Sequence, residues 1–381
     1  MIARGKDFVR YLPGSSEHFR KAVGVWRLFH IDPLLLIGLL ALTLYGLLVL
    51  YSAVGQSQFL IKRQVVFFGL AYMAMFAIAQ VNLKFLARMA FWFYLFGVGL
   101  LLLVLIVGVG AKGAQRWLDL GVTRVQPSEI LKLAVPICIA SYFSLRVLPP
   151  QIKHIIVCLV LIGVPCVLIL KQPDLGTALL VSMSGLIAIF LAGLPWRYIG
   201  IAFGMTVAAC WPMWAFVMRD YQKQRVLTLL DPEADKLGAG WNIIQSKTAI
   251  GSGGLSGKGW MDGTQSQLDF LPESHTDFII AVLAEEHGLL GVLLLLTCYL
   301  FVILRGLWIA TFAQNTFGRV LAGSITLTFM VYVFVNIGMV SGLLPIVGVP
   351  LPLVSLGGTS LISLMMGFGL LMAVATESSK R

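Results

Sequence analysis

Residues 320–376 read VLAGSITLTFMVYVFVNIGMVSGLLPIVGVPLPLVSLGGTSLISLMMGFGLLMAVAT, and these 57 residues contain no Asp, Glu, Lys or Arg. A helix needs about 20 apolar residues to cross roughly 30 Å of hydrocarbon, so the stretch is too long for one membrane span. Residues 341–352 hold three prolines and two glycines, which cannot continue a helix. The stretch therefore predicts two spans joined by a short non-helical segment.

The same apolar pattern recurs along the whole chain of 381 residues. Only 12% of the residues are charged, against roughly 25% in soluble domains. The composition predicts an all-α polytopic membrane protein with about ten transmembrane helices over residues 33–376 and tails at 1–32 and 377–381. The predicted spans are 33–53, 65–81, 89–110, 130–147, 155–170, 175–194, 198–218, 278–304, 320–343 and 351–376.

Basic residues indicate the orientation of these spans. With the N-terminus inside, the inner segments hold fifteen Lys and Arg and the short outer loops hold seven. Excess Lys and Arg on the cytoplasmic side is the general rule, so both termini are predicted to be cytoplasmic and residues 219–277 to form a large outer loop. The net charge of +11 is therefore interpreted as a topology signal and not as a nucleic-acid-binding surface.

Chemistry on the outer face has to proceed without ATP. The chain has no G-x-x-x-x-G-K-[ST] loop and no G-x-G-x-x-G that follows a predicted strand, so no nucleotide cofactor is expected. An enzyme there needs a substrate that arrives already activated. Lipid-linked pyrophosphates meet this requirement, since they carry a good leaving group and their tails partition into the hydrocarbon.

The outer loop offers two groups of candidate substrate-binding residues. Lys223 and Arg225 could pair with phosphate oxygens, or they could belong to a solvated cluster at the membrane surface. Residues 238–263 hold eight glycines together with Lys247 and Lys258. Such a segment could form an anion-binding nest of backbone N–H groups, or it could be a flexible linker.

Carboxylates gather where the loop leads into the span at 278–304. Five ionisable residues lie within fourteen positions: Glu273, His275, Asp277, Glu285 and Glu286. Thr276 or Asp277 could cap the helix N-terminus. A cap does not explain Glu285 and Glu286, which lie roughly 12 Å into the span at 1.5 Å per residue. Ionisable groups at that depth face a protein interior or a wet cavity, so this end of the span is the leading site candidate. Further candidate substrate-binding residues are Glu273 and His275 here and Arg116 upstream.

Other outer-face residues point to the same side of the membrane. Arg116 precedes Glu129 and Lys132, whose spacing of three allows an ion pair within one helix. Asp174 follows a tight turn, where it would cap the next span or face a cavity, and capping is preferred. Asn336 lies within an apolar span and is suited to close helix packing.

Taken together, these residues resemble the SEDS family, the shape, elongation, division and sporulation proteins, and within it the members that act in elongation. The resemblance covers residues 113 to 358. Its motifs are Gly113-Ala-x-Arg116-Trp117, Gln126-Pro-Ser-Glu129, Gln172-Pro-Asp-Leu-Gly-Thr177, Gln224-Arg225-Val226, Gly251-Ser-Gly-Gly254, Gly257-x-Gly259, Phe270-Leu-Pro-Glu-x-His-Thr-Asp277-Phe278, Ala284-Glu-Glu-x-Gly288, Pro350-Leu-Pro352 and Ser355-x-Gly-Gly358. His287 departs from the family pattern, and it could perturb the neighbouring Glu286.

The resemblance implies a peptidoglycan glycosyltransferase of the bacterial cytoplasmic membrane that polymerises lipid II into glycan strands. It also implies a partner, a class B penicillin-binding protein that crosslinks the glycan. Asp277 matches the catalytic Asp of the family and would act as general base in an inverting transfer. A divalent cation, Mg²⁺ or Mn²⁺, or the basic groups of the loop would neutralise the pyrophosphate, and Asp277 is the candidate metal ligand.

The sequence is also compatible with two other classes of function. Glu285, Glu286 and the prolines within spans would suit a lipid II flippase that works by alternating access. The carboxylates lie at one face instead of the midplane, and no internal repeat relates the two halves of the chain. A pure scaffold leaves the charge pattern of the loop unexplained.

Overall fold

The computed structural model describes residues 29–111, 114–119, 124–218, 220–235, 238–267 and 273–377. Residues 1–28 and 378–381, which make up most of the two predicted tails, lie outside this described part.

In the described residues ten helices of 17 to 34 residues form the bundle, in agreement with the all-α polytopic fold predicted from the sequence. They are α1 (Pro33–Ala53), α2 (Gln58–Ala79), α3 (Leu83–Val107), α4 (Pro127–Ser144), α5 (Ile152–Lys171), α6 (Leu175–Leu191), α7 (Trp196–Pro212), α11 (Ile279–Phe312), α12 (Thr316–Val340) and α13 (Thr359–Glu377). Within the described residues, eight of these helices are long and apolar enough to cross a membrane. The other two are α6, which is apolar but short, and α4, which has Glu129 and Lys132 in its first turns.

The helix bounds differ from the predicted spans mainly at helix starts. Helices α2 and α3 begin at Gln58 and Leu83, several residues before the predicted starts at 65 and 89. The early turns contain Lys and Arg residues, which a search for apolar runs excludes. Polar first turns can lie at the membrane surface while the rest of the helix is in hydrocarbon, so the helix is longer than its apolar part.

The predicted outer loop is largely helical. It contains α8 (Asp220–Leu230), a 3-10 turn (Pro232–Asp235), α9 (Ala239–Gly253) and the short α10 (Thr264–Gln267). A three-stranded antiparallel sheet joins α3 to α4 and consists of β1 (Val109–Ala111), β2 (Ala114–Asp119) and β3 (Arg124–Val125). Both features lie at the same end of the bundle, which we call the loop end.

Helices α4, α12 and α13 pack together, and α12 also packs against α6 and α11. Helix α7 lies at the periphery, since none of its residues is buried. Between α12 and α13 the chain is non-helical from residue 341 to 358, and we call this stretch the α12–α13 segment. The prolines predicted a break at 341–352, but the break is longer, and the last helix begins at Thr359 and not at the predicted residue 351. The α12–α13 segment lies at the loop end and connects the parts of the site described below.

Candidate functional site

The turn at residues 273–278 places Asp277 immediately before α11. Three successive carbonyl groups, those of residues 275–277, accept hydrogen bonds from outside the turn. The donors are the Leu356 backbone N–H (2.9 Å), the Ser355 hydroxyl and the Asn336 amide (2.9 Å). The main chain around Asp277 is therefore fixed to helix α12 and to the α12–α13 segment.

The Asp277 carboxylate lies beside the α12–α13 segment. A Cβ atom added at Gly348 would lie 3.5 Å from Asp277 Oδ2. The N-cap residue of α11 is Phe278, which makes no side-chain capping bond, so the prediction that Thr276 or Asp277 caps this helix is wrong.

Glu273 and His275, which were predicted as substrate-binding residues, belong to the same turn as Asp277. Glu273 is exposed, has a positive φ of 56°, and accepts a 2.9 Å hydrogen bond from the Thr276 hydroxyl. His275 is half buried and contributes its backbone carbonyl to Leu356. The structure therefore brings both predicted residues close to Asp277.

Glu285 is fully buried and is the acceptor at the centre of a polar cluster. Its Oε1 accepts from Lys258 Nζ at 2.7 Å, from the Thr264 backbone N–H at 2.8 Å and hydroxyl at 3.0 Å, and from the Gln265 N–H at 3.0 Å. The ion pair with Lys258 joins the loop to α11. Glu285 therefore holds the loop in place, and Lys258, predicted to bind substrate, is its partner.

The glycine-rich part of the loop forms hydrogen bonds with helix α11 at a break in that helix. Within α11, Gly288 has φ 62° and ψ −161°, which interrupts the helical backbone. The N–H groups of residues 258–259 donate to the carbonyls of residues 285–286 at 3.0 and 3.1 Å. The N–H groups of residues 289–290 donate to the carbonyls of residues 254–255 at similar distances. Backbone groups released by the break are thus paired by the loop, as burial requires.

These hydrogen bonds overturn both predictions for the glycine-rich segment. The N–H groups of Lys258 and Gly259 already have acceptors, so they do not form an anion-binding nest, and the segment is too well bonded to be a linker. The glycines allow two backbones to approach closely. A Cβ at Gly253 or Gly257 would collide with a carbonyl oxygen of α11, and one at Gly288 would collide with the loop.

Glu286 and His287 face helix α1. The Ser52 hydroxyl donates to Glu286, which is almost fully buried. The His287 ring packs edge-on against Tyr45 with centroids 5.9 Å apart. Its Nδ1 has no hydrogen-bond partner among the described residues. Glu286 therefore contributes to the contact between α1 and α11, beside the break in α11.

A cavity of about 70 Å³ lies among α4, α12, α13 and the α12–α13 segment. Its walls are mostly apolar and include residues 350–353. Lys132 and Glu129 form a 2.6 Å ion pair there, and their side chains are only 10% and 8% exposed. The Lys132 ammonium also lies 5.1 Å from the centre of the Tyr332 ring, and the Ser363 hydroxyl donates to Glu129 at 2.8 Å. The spacing of three residues therefore produces the predicted pair.

Arg116 and Asp174 pair with each other away from this cavity. Asp174 caps α6, as expected, and accepts from the Thr177 N–H at 3.2 Å and hydroxyl at 2.9 Å. The Arg116 guanidinium lies 3.7 Å from Asp174 Oδ2 and donates to the Pro173 carbonyl at 2.7 Å. This contact joins β2 to the start of α6, so Arg116 has a structural role.

The remaining predicted basic residues lie on the helices of the loop. Lys223 and Arg225 are half buried on α8, and Lys247 is exposed on α9, where its side chain lies against Gly342. No group of three or more His, Cys, Asp or Glu residues that could hold a metal ion occurs in the part of the chain that the structure describes.

Sequence reasoning missed several polar residues that build the site. Gln64 is 1% exposed, and its amide bonds to the α12–α13 segment by donating to the Ser355 carbonyl at 3.4 Å and accepting from the Gly357 N–H at 3.2 Å. Ser363 and Tyr332 contact the buried ion pair. Gln64 follows Lys62-Arg63, so in the sequence it resembles an ordinary membrane-surface residue. Single polar residues in apolar helices carry no pattern that reveals their partner.

Known proteins resemble this chain over nearly its whole length. Residues 30–380 match the family of FtsW, RodA and SpoVE, described as "Cell cycle protein". The chain is 55% identical to peptidoglycan glycosyltransferase MrdB of Escherichia coli K12 over 352 residues, which is 92% of this chain and 95% of the relative. It is 37% identical to the probable peptidoglycan glycosyltransferase FtsW of Geobacter metallireducens over 361 residues, covering 91% and 95% of the two chains.

Two solved structures share the fold. One, described as "Structural coordination of polymerization and crosslinking by a peptidoglycan synthase complex", aligns with a TM-score of 0.82 at 30% identity over 92% of this chain and 99% of that chain. The other is rod shape determining protein RodA of Thermus thermophilus, with a TM-score of 0.69 at 28% identity over 92% and 98%. Motifs, fold and near-complete coverage agree, and the chain therefore belongs to the FtsW, RodA and SpoVE family, the SEDS proteins that its sequence motifs indicated.

Proposed function

We propose that this chain is a peptidoglycan glycosyltransferase that polymerises lipid II on the outer face of the cytoplasmic membrane during cell elongation. One observation carries the proposal. The α12–α13 segment contacts the turn that bears Asp277 through Ser355 and Leu356, and it also lines the cavity that holds Lys132 and Glu129. One segment of the chain thus contacts both the turn that bears the Asp277 carboxylate and an apolar cavity that holds the Lys132 ammonium. The relatives named above as peptidoglycan glycosyltransferases support this reading.

The reaction requires a base and a stabilised leaving group. The 4-hydroxyl oxygen of the acceptor sugar attacks the anomeric carbon of the donor, and the bond from that carbon to the pyrophosphate oxygen breaks. Undecaprenyl pyrophosphate leaves with the bonding electrons, and the hydroxyl proton passes to the Asp277 carboxylate. Such general-base assistance is typically worth about 10²–10⁴-fold in rate. Because attack and departure occur on opposite sides of the carbon, the configuration inverts.

The cavity suits a lipid-linked pyrophosphate. Its apolar walls would contact the isoprenoid chain near the head group, and the Lys132 ammonium would attract the phosphates. Glu129 and Tyr332 hold that ammonium in place, which keeps it charged although it is nearly buried. Lys223, Arg225 and Lys247, on the helices of the loop, would add positive charge outside the membrane.

A divalent cation, Mg²⁺ or Mn²⁺, is compatible with this site. Mg²⁺ is commonly bound by one or two carboxylates together with substrate phosphates and water, so Asp277 alone would suffice as the protein ligand. The cation would neutralise charge on the pyrophosphate. The chain itself supplies the base, the fixed turn and the buried cation of Lys132.

The proposed topology places the loop end outside and both termini in the cytoplasm of a bacterial cell. Its support is the fifteen-to-seven distribution of basic residues. The proposed partner is a class B penicillin-binding protein, which would crosslink the strands that this chain makes. The other molecules that this chain is proposed to contact are lipid II, the nascent glycan and membrane lipids.

Incubation of the purified chain with fluorescent lipid II in detergent tests the proposal, with and without the penicillin-binding protein and with and without EDTA. Glycan polymer is the expected product, and loss of polymer with EDTA that Mg²⁺ or Mn²⁺ restores would establish the cation. Absence of polymer under all conditions, together with transfer of lipid II across vesicle membranes, would establish a flippase instead. The break in α11 is the feature that favours transport, but the backbone groups at the break are hydrogen-bonded to the loop.

A further inference from the structure

The three carbonyl groups at residues 275–277 are outside the hydrogen-bonding pattern of helix α11. The first turn of that helix closes with a bond from the Ala281 N–H to the Phe278 carbonyl, so the carbonyl of Asp277 gains no partner from Ala281. Buried backbone carbonyls require partners. Here the partners come from α12 and from the α12–α13 segment, and each donates to one carbonyl.

Asn336 is the donor that reaches Asp277 itself. It is fully buried on α12, and its amide nitrogen donates to the Asp277 carbonyl at 2.9 Å and to the Val349 carbonyl at 2.7 Å. The reversed amide would place its oxygen against two carbonyl oxygens, so only one orientation is favourable. Its Oδ1 has no partner among the described residues, which means that these two donated bonds alone orient the side chain. One amide thus ties Asp277 to the residue that follows Gly348.

Ser355 makes the second side-chain connection. Its hydroxyl donates to the Thr276 carbonyl and accepts from the Leu351 N–H at 2.9 Å. The same hydroxyl therefore connects the residue before Asp277 to the wall of the cavity. A shift of the α12–α13 segment would move both the turn and the cavity wall.

We propose that Asn336 and Ser355 are positioning residues that fix the Asp277 carboxylate relative to the lipid-pyrophosphate cavity. They act on Asp277 through the main-chain carbonyls of residues 276 and 277. This inference rests on the proposed function, because it assumes that Asp277 is the base. Small displacements of a reacting group are costly, since a misplacement of about 1 Å can reduce a rate by about a hundredfold.

The test uses Asn336→Leu, which keeps the branched shape and the number of side-chain heavy atoms and removes both donated bonds. Ser324→Ala is the matched control, because Ser324 is also fully buried on α12 and its hydroxyl donates to a distant backbone carbonyl, that of Ser184, at 2.8 Å. Full-length proteins, each with the penicillin-binding protein, are assayed for initial rates of lipid II polymerisation. We expect Asn336→Leu to lower kcat by roughly ten- to a hundredfold with KM changed less than about threefold, and Ser324→Ala to leave both near wild type.

A double-mutant cycle separates positioning from general damage. Residues that act as a unit are strongly non-additive, so adding Asn336→Leu to Asp277→Asn should lower the residual rate by less than about threefold. If Asn336→Leu lowers the polymerisation rate of Asp277→Asn by the same factor as it lowers the wild-type rate, the proposal is overturned. A kcat for Asn336→Leu within about threefold of wild type would also overturn it.

Thermal unfolding in detergent would reveal whether Asn336→Leu folds. If it does not fold, a second variant provides the test. Ser355→Ala removes one hydroxyl and should lower kcat about tenfold, with the same non-additivity against Asp277→Asn. An unchanged kcat for that variant would refute the positioning role. These results differ from failure of the proposed function, in which wild type makes no polymer or Asp277→Asn is fully active.

Discussion

Replacement of Asp277 by Asn isolates the chemistry of the carboxylate from its surroundings. The Asp277 backbone carbonyl accepts from Asn336, and this bond does not involve the Asp277 side chain. The N-cap residue of α11 is Phe278, so the substitution leaves the helix end unchanged. Asn has nearly the same shape as Asp, and substitutions that create no cavity and bury no unpaired charge usually alter stability by less than about 0.5 kcal/mol. The variant should therefore insert, fold and bind its partner as wild type does.

The amide cannot accept a proton at neutral pH, so Asp277→Asn should lower polymerisation by at least about 10²-fold. That factor corresponds to about 2.7 kcal/mol of transition-state stabilisation, well above the expected change in stability. The measurement is polymer yield and initial rate from fluorescent lipid II, with the thermal midpoint and partner binding recorded for each protein. Glu233→Gln is the control, since it neutralises an exposed carboxylate on the 3-10 turn of the loop, away from the turn that bears Asp277, and should retain most activity. Polymerisation near the wild-type rate by Asp277→Asn would refute the assignment and move the search for the base to Glu273 or His275.

Three further predictions concern the scaffold and its orientation. Lys132→Met leaves the buried Glu129 carboxylate without its cation and should destabilise the protein by about 3–5 kcal/mol. The double variant with Glu129→Gln should recover part of this loss. Unfolding in detergent measures both effects. Gly288→Ala forces a side chain into a backbone conformation that is nearly exclusive to glycine, so it should destabilise the protein by roughly 1–3 kcal/mol. The control Gly99→Ala adds a methyl group to open space and should be neutral or stabilising. Equal melting curves for the two variants would contradict the account of the α11 break. A cysteine at the exposed Asp262, in a chain whose five native cysteines are replaced, should react with an impermeant thiol reagent in intact spheroplasts, and labelling only after lysis would reverse the topology.

The break in α11 shows how a membrane protein handles non-helical backbone at the edge of a span. Residues 285–290 lose their helical pairing around Gly288, and residues 254–259 supply the missing partners. The Glu285 carboxylate then secures the following part of the loop through Lys258 and Thr264. We infer that the conspicuous carboxylates at 285 and 286 maintain this architecture, and that catalysis is left to Asp277.

The sequence by itself determined the features that depend on local composition. Ten apolar runs were sufficient to predict the helices, because crossing hydrocarbon requires a length and a composition that can be read along the chain. The three prolines and two glycines of residues 341–352 predicted the α12–α13 segment, since so many helix-breaking residues close together cannot continue a helix, whereas the single Pro136 and Pro165 lie inside helices. The capping role of Asp174 and the pair of Glu129 with Lys132 also followed from spacing alone, because their partners lie within one helical turn.

Only the tertiary structure decided which distant residues meet. Asn336 reaches Asp277 across 59 positions, and Ser363 reaches Glu129 across 234, with no periodic pattern to reveal either contact. The glycines at 253–259 had two local interpretations, and both were wrong because their true partner is the backbone of another helix. A hydrogen bond between remote residues depends on how helices pack, and packing is a property of the whole bundle, so one sequence could name the polar residues but not their partners.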